Sequence, residues 1–329
     1  MPHNIPTLLI GLGGKGGQAV NDIYGMIPKE SHSRVAIHAF DTDVNSLIKL
    51  QHLKGHMTQI SSNRTVGEIR AEYPEVNAWF PSNPHLDRKS ITEGAGQIRA
   101  VSRLAFWVAM KEGRMNGLLE SIDRIFPVQR DNTIHSIRVF IISSLAGGTG
   151  SGIFLQVAMY LRELLESRYG RNSVLIRGAF LLPDLFVHTQ LLDRREWENV
   201  QANGYASMKE LNAITLSAAG KSAQSEDGVT IELEYRPDQV DLEGNAVHAI
   251  TEKQLPYDFC FLYDYENLKG QHLNSFSDYM DLMCRSIYLQ LFSPISEKHL
   301  SQEDNQILEL IASDGRGRIC GAGVASIEY

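Results

Sequence analysis

Three glycine clusters carry the chemistry legible in this chain: GLGGKGG at 11–17, EGAG at 93–96 and AGGTGSG at 146–152. Glycine has no Cβ, so consecutive backbone N–H groups can close around a ligand. Thr149 and Ser151 add hydroxyl donors to the third cluster. Placed at the start of a helix, such a cluster meets an anion with free N–H groups and the positive end of the helix dipole. Phosphate binding is the chemistry this suits. The pattern is not a Walker loop: GxxxxGK[ST] occurs nowhere, and Lys15 has no Ser or Thr after it.

Other chemistry is sparse. Cys260, Cys284 and Cys320 are far apart and form no CxxC pair, as expected of buried, reduced thiols. His52 and His56 stand four apart in HLKGH, with a glycine between them and no third ligand in view, so no metal site is expected. No Ser/His/Asp or Cys/His arrangement has a local signature.

The elements that must position the clusters follow from the apolar runs. Residues 7–10 read as a buried strand, 11–17 as a loop and 18–27 as the start of a helix. VAIHAFDTD (35–43) is a second strand ending in Asp41 and Asp43, and 44–50 a short helix. Residues 54–90 are polar and irregular, with one helix around 66–79. Residues 91–113 are a glycine turn leading into a helix, and 115–126 continue helical. A strand at 137–145 feeds AGGTGSG and a helix to about 168. A strand at 174–185, a helix at 197–214, a strand at 257–264, a long helix at 274–292 and a short one at 301–312 complete the series. A hairpin around DLEGN is expected within the polar stretch 219–254.

Strands alternating with helices predict an α/β fold: a doubly wound, mostly parallel sheet with helices on both faces. In such a sheet the loops after the strands share the carboxyl edge, so the three clusters meet there. The 329 residues, 43% hydrophobic and 21% charged, bury a full core. A net charge of −8 argues against general nucleic-acid binding. No apolar run is long enough to span a membrane, and the N-terminus lacks the pattern of a signal peptide. A cytoplasmic protein is expected.

One reading of these features is a nicotinamide oxidoreductase. GLGGKG fits GxGxxG, and Asp41 or Asp43 would hold a ribose 2′-OH. That leaves AGGTGSG without a task, and the second half offers no evident acid or base.

A family resemblance gives AGGTGSG its task. The cluster resembles the tubulin/FtsZ signature GGGTG[ST]G, with Ala146 at the first glycine. GLGGKGGQAVN (11–21), HAFDTDVNSL (38–47), EGAGQ (93–97) and ICGAGVAS (319–326) are similar, in the same order, to further segments of that family. The resemblance implies a tubulin-like GTP-binding domain of a divergent prokaryotic branch. It implies that Ala146, Gly147, Gly148, Thr149, Gly150 and Ser151 hold the β- and γ-phosphates. Gly13, Gly14, Lys15 and Gln18 would line the phosphate and nucleoside side, beside Asp41 of the second-strand segment. Gly94, Ala95 and Gly96 would close over the γ-phosphate. Mg2+ would be held largely by phosphates and water.

For the guanine, the resemblance points to Asn267, although a strict match falls on Tyr265, and to Asp278 in the long helix. Phe276 or Tyr279 would stack, and Glu196, Glu198 or Asn203 would meet the ribose. In this family the loop after the long helix completes the next subunit's site, so GTP is hydrolysed to GDP in trans and the head-to-tail contact makes filaments. That loop is HLSQEDNQILELI (299–311), and its acids are Glu303 and Asp304. Their spacing departs from the Asn-x-Asp-x-x-Asp of the cell-division members. The nucleotide domain is expected over 1–315, with 316–329 the start of a C-terminal domain. The alternative within the same family is a guanine-nucleotide sensor that docks a partner without polymerising.

Overall fold

The computed structural model describes residues 5–91, 94–125, 137–170, 174–189, 191–218, 255–292, 309 and 318–321. Along the chain run β1 (Thr7–Leu12), α1 (Gly13–Met26), β2 (Val35–Asp41), α2 (Val44–Leu47), β3 (Met57–Gln59) and α3 (Val66–Glu72). Then come α4 (Pro84–Asp87), α5 (Arg99–Lys111), α6 (Asn116–Ile125), β4 (Ile137–Ser144), α7 (Gly148–Tyr169) and β5 (Val174–Leu181). The remaining elements are α8 (Pro183–His188), α9 (Trp197–Ala218), β6 (Phe259–Tyr263), α10 (Phe276–Phe292) and β7 (Arg318–Gly321).

The strands form one seven-stranded sheet in the order β3-β2-β1-β4-β5-β6-β7. Every neighbouring pair is parallel. β1, β2, β4 and β5 are buried along their whole length, which is why their sequences are continuous apolar runs. Leu8, Ile10 and Leu12 of β1 enter a core shared with α5, α6 and α7 on one face. Leu9 enters a second core with α1 and α10 on the other. The sheet is doubly wound, with helices on both faces.

Local chemistry explains where elements stop. β2 ends at Asp41, short of the expected 43, because Asp43 caps α2: its carboxylate accepts the Asn45 N–H at 2.9 Å. β5 ends at Leu181 instead of 185, because Pro183 sits in the first turn of α8. The helix expected at 66–79 is split into α3 and a 3-10 turn at Pro74–Ala78, since Pro74 has no N–H to continue it. β3 was not expected; three residues at the sheet edge carry no periodic signal. Arg318–Gly321 lie past the boundary expected at 315 and pair with β6 as the seventh strand. The hairpin expected within 219–254 and most of the helix expected at 301–312 fall outside the described residues. No described helix is long and apolar enough to cross a membrane.

Candidate functional site

The first and third glycine clusters touch. β1 passes into α1 at Gly13, whose φ of +69° is a left-handed conformation open to glycine. A side chain on Gly13 would meet the amide nitrogen of Gly150 at 3.2 Å. Gly150 itself lies close under the carbonyls of Ser144 and Leu12, at 2.9 and 3.0 Å from where a Cβ would be. Gly148 packs on the backbone of Gln97, at 2.7 Å by the same measure. Gly147 has nothing within 4 Å and lines a cavity instead. It also precedes α7 with no side-chain cap, which leaves the first-turn N–H groups to an anion.

That cavity has a volume of about 540 Å³, within the range of small-molecule sites. It sits at the carboxyl ends of β1 and β4, where the strand order reverses. Gly13, Gly14, Lys15 and Gln18 line it from one side, and Ala146, Gly147, Gly148, Thr149 and Gly150 from the other. Ser151 does not reach it; its buried hydroxyl donates to the Gly147 carbonyl.

The second cluster joins through Thr42, which lies in the HAFDTDVNSL segment but is not among the residues expected to touch a ligand. The Thr42 hydroxyl lies 2.8 Å from that of Thr149 and accepts the Ala95 N–H at 3.0 Å. Gly94 and Gly96 are left-handed, with φ of +84° and +53°, and so is Gln97 at +62°. Gln97 lines the cavity, whereas Gly94, Ala95 and Gly96 do not. Asn203 of α9 braces the arrangement: its amide donates to the Gln97 carbonyl at 3.0 Å and the Ala146 carbonyl at 3.1 Å. Gln97 in turn donates to Glu196 at 2.8 Å.

A family model described as tubulin like matches residues 8–329. The chain belongs to the tubulin-like family. Among solved structures it is similar to CetZ2 from Haloferax volcanii, a GTPγS-bound protofilament, at 14% identity and a TM-score of 0.48, covering 96% of this chain and 64% of that one. CetZ1 from the same organism, a GDP-bound monomer, gives 14% identity and 0.44, covering 95% and 66%. TubZ of Bacillus thuringiensis serovar israelensis, a GTPγS-form protofilament, gives 14% and 0.41, covering 88% and 57%. The chain thus spans less than two thirds of the length of these proteins. A search of curated proteins found no match.

The acids of this tubulin-like chain are already engaged. Asp41 is buried beneath Gly14 and accepts the Asp43 N–H at 3.2 Å. Burial pushes its carboxyl up to about 6. Asp43 accepts the Asn45 N–H and the Ser46 hydroxyl, each at 2.9 Å. Neither carboxylate lines the cavity, to which Asp22 of α1 is the acid that contributes. Nor do three or more His, Cys, Asp or Glu side chains converge on a metal position among the described residues. The magnesium that the family implies finds no protein-built ligand set in the described part of the site.

Two lysines line the cavity. Lys15 lies 4.9 Å from the Phe276 ring centroid, and Lys49 follows α2. Burial, and then the charge of Lys49, lower the Lys15 pKa. Phe276 packs on Phe186, a lining residue, at 4.9 Å between ring centres.

The residues expected at the base do not line the cavity. Asn267 accepts the N–H groups of Lys269 and Gln271 at 2.9 and 3.1 Å, which closes its own turn. Asp278 accepts the Ser275 N–H at 2.9 Å and caps α10. Tyr265 stacks between His188 and His272, at 4.6 and 4.9 Å. Tyr279 donates to the Tyr265 carbonyl at 2.5 Å. Glu198 is exposed on α9. Glu303 and Asp304 lie outside the described residues.

Proposed function

We propose that this chain binds GTP in the 540 Å³ cavity and hydrolyses it to GDP where a second copy packs head to tail over the sheet edge. The observation that supports this is the meeting of two glycine turns, after β1 and after β4, on one cavity at the open N-terminus of α7. Family membership supports guanine as the base. The phosphates lie on the N–H groups of Gly147–Gly150, with Gly13 and Gly14 opposite and the Thr149 hydroxyl as a further donor.

Thr42 makes the site responsive to the terminal phosphate. Its hydroxyl is shared by Thr149 and the Ala95 N–H, so a phosphate that engages Thr149 alters the hold on the loop Gly94–Gln97. In hydrolysis a water attacks the γ-phosphorus and the bond to the bridging oxygen breaks, leaving GDP and phosphate. The protein's task is to position that water and the phosphate chain. Glu303 and Asp304 of the incoming copy position the water.

Calorimetric titration with GTP, ATP and NAD tests the reading. Saturable binding with GTP preferred is the expected result. Preference for NAD would return the cavity to a dinucleotide, and preference for ATP would remove the guanine assignment.

A further inference from the structure

Backbone donors around α7 account for one side of the cavity, and the two lysines on the other side have no structural task. Lys15 leaves the first turn of α1, and Lys49 follows α2. Among the described residues neither ammonium has an ion-pair partner. The nearby acids are engaged elsewhere. Asp43 is held by Asn45 and Ser46. Asp41 is buried below Gly14. Asp22, at another part of the lining, takes a hydrogen bond from Asn21 at 3.2 Å. Lys15 rests on the Phe276 face, which fixes its direction without neutralising it. Two cations that repel each other in a half-buried cavity are unfavourable until an anion enters.

We propose that Lys15 and Lys49 clamp the phosphate chain of the nucleoside triphosphate and supply the charge neutralisation usually left to a divalent metal, so that binding persists without Mg2+. The proposal rests on the reading of this cavity as a triphosphate site. A lysine ammonium serves phosphate as a point charge, and Lys15, half-buried where Lys49 is exposed, is screened less by salt than a surface one. The lysines stand on α1 and after α2, opposite the α7 N-terminus, so the phosphate chain is held between side-chain charge and backbone N–H groups.

The test is titration of the full chain with GTP in Mg2+ and in EDTA, for the wild type and for Lys15→Met, Lys49→Met and Lys15→Arg. Methionine keeps the stem of Lys15 on Phe276, and arginine keeps its charge; a thermal melt of each variant verifies folding. The wild-type Kd is expected to change less than about threefold in EDTA. Each methionine variant is expected to lose about tenfold or more in EDTA, and to regain part of it with Mg2+. Lys15→Arg is expected to stay near the wild type. Loss of wild-type binding in EDTA, or folded methionine variants that bind as the wild type does, would overturn the clamp. Should GTP fail to bind in either condition, the triphosphate reading falls, and inorganic tripolyphosphate decides the clamp. Tripolyphosphate binding that the methionine variants lose would retain it as a polyanion site; no binding would remove it.

Discussion

At the scale of residues, the glycines of AGGTGSG do two different jobs. Gly148 and Gly150 are small because other backbone lies against them, and Gly147 is small beside open space. Gly148→Ala forces a Cβ to within 2.7 Å of the Gln97 Cα, and is expected to cost about 1–3 kcal/mol of stability by urea unfolding. Gly147→Ala meets no atom within 4 Å and is expected to stay within about 0.5 kcal/mol of the wild type, while weakening nucleotide binding. Equal destabilisation by both would refute this division. Asp41 gives a second prediction. Its folded pKa of about 6 lies above the ordinary 3.8, so the folded state holds the proton more tightly. The stability this confers is complete below about pH 4 and is lost as pH rises through 6. Asp41→Asn keeps an acceptor for the Asp43 N–H and cannot ionise. It is expected to match the wild type near pH 4 and to exceed it by up to about 3 kcal/mol at pH 7. Unfolding curves that stay parallel across this range would show that Asp41 does not titrate in the fold.

At the scale of elements, α9 holds two loops with one amide. Asn203→Asp turns a double donor into a carboxylate facing the carbonyls of Gln97 and Ala146. A loss of about 2–3 kcal/mol is expected, with faster hydrogen exchange at Ala95 and at the start of α7. Unchanged exchange there would mean that the loops are held by Thr42 alone. Elements of this kind differ in how much of them the sequence reveals. β1, β2, β4 and β5 are legible because burial on both faces demands unbroken apolar runs. β3 is not, because a three-residue edge strand needs no such run. The glycine clusters are legible as local patterns. Lys49 and Phe186 are not, because each reaches the site from a different element and carries no spacing of its own, and nothing within the segments that hold Thr42 and Gln97 sets those two residues apart. Asn267 and Asp278 show the converse. Their residue types suit a base, yet a turn and a helix cap use the same atoms. Local hydrogen bonding of this sort is as visible in the sequence as a ligand role, and geometry alone separates the two.

At the scale of the molecule, the all-parallel sheet sends every strand's carboxyl end to one edge, and the cavity opens there. α2 and the residue after it hold Val44 and Ile48 outward beside the cavity, 41% and 62% exposed, while Ser46 and Lys49 of the same stretch line it. A second copy seated head to tail over this edge would bury those two apolar side chains and cover the nucleotide together. Such a contact joins unlike surfaces and does not close on itself, so it propagates. GTP is therefore expected to raise light scattering and to move the chain into a sedimenting fraction, with dispersal as GTP is consumed. Ile48→Glu places a charge in the contact and leaves the cavity lining intact. It is expected to bind GTP with unchanged affinity and to remain dispersed. If Ile48→Glu assembles as the wild type does, the contact lies elsewhere on the molecule. If the wild type binds GTP and never sediments, the cavity serves a nucleotide-dependent binding module, and hydrolysis has no second subunit to complete it.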